Sequence, residues 1–171
     1  MATTLSRRSF IKTGLIGALA LATAGGLYRA TRPALPAGFV LDDEAHSALS
    51  AIIPVVLKDA IDSAPASLDN ALMRVRDAIV GLPLATQKEI QDLFALLTLA
   101  PTRRFIVGLG DDWQHAKPAD VAEFLQNWRM SRLGLLQSAY QALHDLITGS
   151  WYGSESSWEA IGYPGPIKEL S

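Results

Sequence analysis

Residues 42–57 read DDEAHSALSAIIPVVL, and this stretch decides what kind of fold the chain can have. Ala45, Leu49, Ile52, Ile53, Val56 and Leu57 recur at three- and four-residue spacing, which puts them on one face of a helix. Asp42, Asp43 and Glu44 gather where a helix N-terminus favours negative charge. Pro54 lacks an N–H and its ring crowds the preceding turn, so a kink or a helix end is expected near Ile53.

The same periodicity continues downstream. Leu68, Leu72, Val75 and Ile79 form a second stripe, stopped by Gly81 and Pro83. Thr86 and Glu89 have the spacing of a capping box opening a third helix, with Ile90, Leu93, Phe94 and Leu97 on its apolar face. Pro101 begins a shorter helical piece through Phe105 and Ile106, broken by Gly108-Leu109-Gly110-Asp111. Pro118 suits the first turn of a helix carrying Val121, Phe124, Leu125 and Trp128. Leu135, Leu136, Ala139, Tyr140, Leu143 and Ile147 mark a last long helix that Gly149 should end. No stretch before residue 150 alternates with period two. The expected fold is all-α, a compact bundle of about five or six helices over residues 42–149.

Beyond it the sequence changes character. Residues 150–166 read SWYGSESSWEAIGYPGP, with Trp151, Tyr152, Trp158 and Tyr163 among glycines and prolines. Rings this dense in an irregular segment must wrap the domain or meet another surface. Residues 150–171 are therefore expected to form an aromatic strap. Trp151, Tyr152, Trp158, Gly162, Tyr163, Pro164 and Gly165 are the candidate partner interface.

Upstream, the first residues carry Arg7, Arg8 and Lys12 and no acid, followed by an uncharged run from Thr13 to Tyr28. That run is shorter than the roughly 20 residues of a membrane-spanning helix. Ala22-Thr23-Ala24 offers small residues for cleavage, so residues 1–24 read as an export signal and residues 25–41 as a linker. Ser6, Arg7, Arg8, Ser9, Phe10, Ile11 and Lys12 fill all seven places of a pattern that resembles the twin-arginine motif. The resemblance implies bacterial export of an already folded protein to the periplasm through the twin-arginine translocon.

Charge and composition narrow the function. The net charge is −2 over 171 residues, and −5 once residues 1–24 are set aside, with 12 basic against 17 acidic side chains. Such a surface argues against nucleic acid as a partner. The chain has no cysteine, which excludes disulfides and thiolate metal sites. His46, His115 and His144 stand far apart without a HExxH-type pairing. Gly108-Leu109-Gly110 lacks the third glycine and the preceding strand of a dinucleotide loop. No GxSxG elbow accompanies the serines. No catalytic, cofactor-binding or metal-binding residues are expected on this chain.

The export pattern, Ile52-Ile53-Pro54 in the early helix, and Trp158 with Ile161-Gly162-Tyr163-Pro164-Gly165 together carry a further resemblance. The chain resembles the small subunit of membrane-associated flavin dehydrogenases, a family that includes gluconate 2-dehydrogenase subunit 3 and the small subunits of sorbitol and fructose dehydrogenases. The tail lacks the Gly-Gly-Asn turn that many members place before the Trp. The resemblance implies a non-catalytic subunit, with FAD held by a large partner that oxidises an alcohol, polyol or sugar acid. A cytochrome c subunit commonly takes the electrons, and membrane association comes through the complex. The small subunit escorts the large one through export. The competing expectation is a stand-alone periplasmic helical protein, either binding a ligand or catalysing at a site without a motif.

Overall fold

A computed structural model describes residues 38–62 and 64–158, together with Gly162 and Pro164; the side chains of residues 59, 155 and 156 are not described. Its contacts divide the chain into Met1–Pro36 and Ala37–Ser171. The expected export signal, with Ser6, Arg7, Arg8, Phe10, Ile11 and Lys12, lies wholly outside the described residues, as do Tyr163 and Gly165 of the tail.

The second unit is all-α, as the periodicity implies. Helix α1 spans Asp43–Leu57, and its N-cap Asp42 accepts the Ala45 N–H at 2.8 Å. Helices α2 (Pro65–Val80), α3 (Leu84–Thr98), α4 (Pro118–Arg129) and α5 (Gly134–Tyr152) follow, then a short α6 (Glu155–Trp158). Helix α1 is the spine: it packs against α2, α3, α4 and α5. Its Ala48, Leu49, Ile52 and Ile53 are completely buried, which is why an amphipathic reading of this one stretch fixes the fold class.

The helix does not end at Ile53. It carries Pro54 within it and runs to Leu57, where the Lys58 N–H returns to the Pro54 carbonyl. Pro54 faces solvent, while Ile52, Ile53 and Leu57 are buried on the opposite side. That burial holds the last turn despite the missing donor. Lys58 pays locally, with φ at 43°.

The capping box at Thr86 is also corrected. Helix α3 starts two residues earlier, at Leu84, with Pro83 as N-cap and no side-chain cap. The loop before it is tied instead by the buried amide of Gln87, which donates to the carbonyls of Val80 (2.9 Å) and Leu82 (2.8 Å). The same side chain accepts the Phe39 N–H at 2.8 Å, and Gln91 accepts that of Val40 at 3.1 Å. Phe39 is buried and its ring meets Phe94 at 5.9 Å. Phe39 and Val40 therefore pack with the helices, because Gln87 and Gln91 hold their backbone N–H groups.

Between α3 and α4 the chain makes a single helical turn, Ala100–Thr102, and a π-helical turn, Arg103–Val107. Gly108 ends it at φ 84°, a conformation that favours glycine. Three rings packed edge to face fasten this connection. Trp113 meets Phe124 edge-on at 5.9 Å, and Phe124 meets Trp128 at 4.8 Å. Both indoles are satisfied, Trp113 donating to the Leu97 carbonyl (2.9 Å) and Trp128 to that of Ile106 (3.0 Å).

Helix α5 passes through Gly149 and ends at Tyr152, three residues beyond the expected stop. A central glycine costs roughly 1 kcal/mol relative to alanine. Burial of Ile147 before it and packing of Trp151 against the core after it outweigh that cost. The true stop is Gly153, where a Cβ would come within 2.7 Å of the Gly149 carbonyl oxygen.

Candidate functional site

Two surfaces compete for the functional role. The first is the aromatic C-terminal end. Trp151 and Tyr152 sit in the last turn of α5, not in an irregular strap, and both are half-buried. The Arg74 guanidinium of α2 lies 5.5 Å from the Trp151 ring centre, a cation–π contact that seats the indole on the domain. Trp158 is half-buried too, and its indole N–H donates to the Tyr152 carbonyl at 3.1 Å. Gly162 (φ 70°) and Pro164 are exposed. The structure thus ties Trp158 to the Tyr152 backbone and packs Trp151 against the core.

The second surface is one the sequence reading did not isolate. Helices α3 and α5 both pack on α1, yet between them runs an apolar groove of about 680 Å³. Ile90, Leu93 and Leu96 of α3 form one wall, and Ala139, Ala142 and Leu146 of α5 the other. Leu135, expected on the core face, is 77% exposed at its margin. Glu89 and Asp92 supply the charge on the lining. The signal was present in the sequence: the apolar faces of both helices are wider than one core contact needs. Their periodicity alone does not say which residues reach α1.

Among the described residues three carboxyl groups are held below their ordinary range, each by partners near in sequence. Asp112 accepts from the His115 backbone N–H (3.0 Å) and contacts its ring Nδ1 at 2.6 Å. This hydrogen bond from His115 holds the Asp112 carboxyl below its ordinary range. Asp145 is lowered by Gln141, which donates from Nε2 at 2.8 Å, and secondarily by His144. Asp62 is lowered by Ser67 and by the Ala64 N–H at the start of α2. His46 is exposed. Ser47 and Ser50 beside it donate their hydroxyls to the carbonyls of Asp43 and His46, each at 2.8 Å. Among the described residues no three His, Asp or Glu side chains stand together as a metal site, and no helix is long and apolar enough to cross a membrane.

What the arrangement offers is area and shape for binding: an apolar channel on one side and anchored indoles at the end of α5. In comparisons with known proteins, no family model, no curated protein and no solved structure matches the chain.

Proposed function

We propose that this chain is the non-catalytic small subunit of a periplasmic flavin-dependent dehydrogenase, whose FAD-bearing large subunit oxidises an alcohol, polyol or sugar acid. It stabilises that subunit, escorts it through twin-arginine export, and joins a membrane-associated complex that includes a cytochrome c. The observation that carries the reading is the open groove between α3 and α5. A contiguous apolar surface of this kind on a small domain marks a place where another surface fits. The seven-place export pattern and the Trp158–Gly165 tail supply the identity of the partner by resemblance.

Co-expression with a flavoprotein that lacks its own signal tests it. The complex should be recovered from the periplasm with stoichiometric FAD, and replacing Arg7 and Arg8 by Lys should leave both chains in the cytoplasm. A chain that reaches the periplasm alone, with the flavoprotein left behind, would defeat the proposal.

The groove's size favours one alternative. About 680 Å³ falls in the range of pockets that hold small apolar ligands. In that reading the chain is a stand-alone binding protein, and solvent extraction of the purified protein should release one apolar compound in equimolar amount.

A further inference from the structure

The acidic balance of the chain is unevenly spread. No Asp or Glu occurs from residue 93 to 110, nor from 124 to 144. The first stretch carries Arg104 and Phe105 in the π-helical turn. The second carries Arg129, Met130, Arg132 and Leu133 between α4 and α5. The Trp128 indole N–H bonded to the Ile106 carbonyl at 3.0 Å ties the two stretches into one end of the domain. There the large apolar side chains point outward: Phe105 is 84% exposed, Met130 69% and Leu133 65%. Arg104, Arg129 and Arg132 are exposed beside them. Arg103 is different, because it lines a recess with Asp43, Glu44 and Asp112 on another side.

Bulky apolar residues interleaved with arginines, without an acid among them, match the chemistry of a lipid interface. The rings and aliphatic chains enter the headgroup boundary while the guanidinium groups meet lipid phosphate. A protein partner with a plain acidic face would pair with the arginines but leave Phe105 and Met130 in water. An apolar partner would bury them but would have to strip water from three guanidinium groups. We propose that this end of the domain docks directly on an anionic lipid bilayer. The chain then holds its own membrane contact, independent of any partner subunit and of the groove between α3 and α5.

Sedimentation with vesicles mixing phosphatidylglycerol and phosphatidylcholine tests this on the full chain. Every protein compared carries Leu15→Glu and Leu19→Glu, so that the apolar leader does not partition by itself. The parent should bind these vesicles, bind pure phosphatidylcholine poorly, and detach as salt rises. The triple variant Arg104→Gln, Arg129→Gln, Arg132→Gln should bind about a hundredfold more weakly. Phe105→Ser with Met130→Ser should also weaken binding, while keeping the salt dependence. A control of equal charge change, Arg76→Gln, Lys88→Gln and Lys117→Gln, should bind as the parent does. The side chains altered outside the leader are all exposed, and circular dichroism should confirm unchanged helix content. Equal loss in the control, or binding untouched in both tip variants, would overturn the proposal. So would a dimer that the tip variants split while vesicle binding persists, since the patch would then be a contact between copies of the chain.

Discussion

The Gln87 side chain accepts the Phe39 backbone N–H at 2.8 Å across 48 positions of sequence, with its amide nitrogen shared between two carbonyls of the preceding loop. One buried amide therefore fastens the start of the domain to the α2–α3 connection. Gln87 is only 5% exposed, so replacing it by Leu removes three hydrogen bonds and leaves the buried Phe39 N–H without its acceptor. Gln87→Leu should cost about 2–4 kcal/mol in urea unfolding. Gln87→Glu keeps the acceptor for Phe39 but turns a carboxylate on two carbonyls, and should be as damaging at neutral pH. Full stability in both variants would refute this role.

The indole of Trp128 couples α4 to the π-helical turn through the Ile106 carbonyl. Trp128→Phe keeps most of the buried ring but removes that donor. It should cost about 1–2 kcal/mol, and hydrogen exchange at residues 103–109 should accelerate. Trp128→Ala should cost roughly 3–5 kcal/mol, because it also opens a cavity among Phe124 and its neighbours.

Lys58 holds φ 43° at the end of α1, a strained value for a residue with a Cβ. Lys58→Gly should leave the fold intact and raise stability by about 0.5–1 kcal/mol, despite the added freedom of the unfolded chain. Thermal unfolding gives the sign directly, and a loss would mean that the lysine side chain contributes more than its backbone costs.

Asp112 and His115 give a pH signature. The Asp112 carboxyl sits below its ordinary value of 3.8 because His115 bonds to it. A depressed carboxylate contributes above its unfolded value and loses that contribution as pH falls through the folded one. The pair is exposed, so the effect on stability is small. Carboxyl NMR titration should show Asp112 moving up toward 3.8 in His115→Ala. An unchanged titration would assign the shift to another cause.

The groove and the aromatic end can be separated by two substitutions. Ala142 is exposed on α5, so Ala142→Arg should leave unfolding unchanged while abolishing co-purification of the flavoprotein partner. Trp158→Ala removes a half-buried ring whose N–H is already bonded to Tyr152, and should lower the melting temperature by a few degrees. If Ala142→Arg retains the partner and Trp158→Ala loses it without melting early, the tail and not the groove is the interface.

Helix identity was legible wherever an apolar stripe recurs at three- and four-residue spacing. Val121, Phe124, Leu125 and Trp128 are all buried on α4, and Leu72, Val75 and Ile79 on α2, as their spacing implies. Boundaries were less so, because they depend on contacts distant in sequence. The start of α3 is set by Gln87 reaching back to Val80, and the end of α5 by Trp151 packing on the core beneath Arg74. Neither relationship leaves a local pattern. The groove was hidden for a related reason: Ile90 and Leu93 have core periodicity, yet they are only half-buried. Periodicity finds an apolar face but not what covers it.

Because α1 touches every other long helix among the described residues and precedes those helices in the chain, synthesis makes the spine before the walls. Leu49, Ile52 and Ile53 stay wet until α2 to α5 have left the ribosome in turn. Each later helix finds its docking surface already present, so the folding order is built into the sequence order. The cost is a bare apolar rod early in translation, and the last wall to arrive, α5, is the one that closes it.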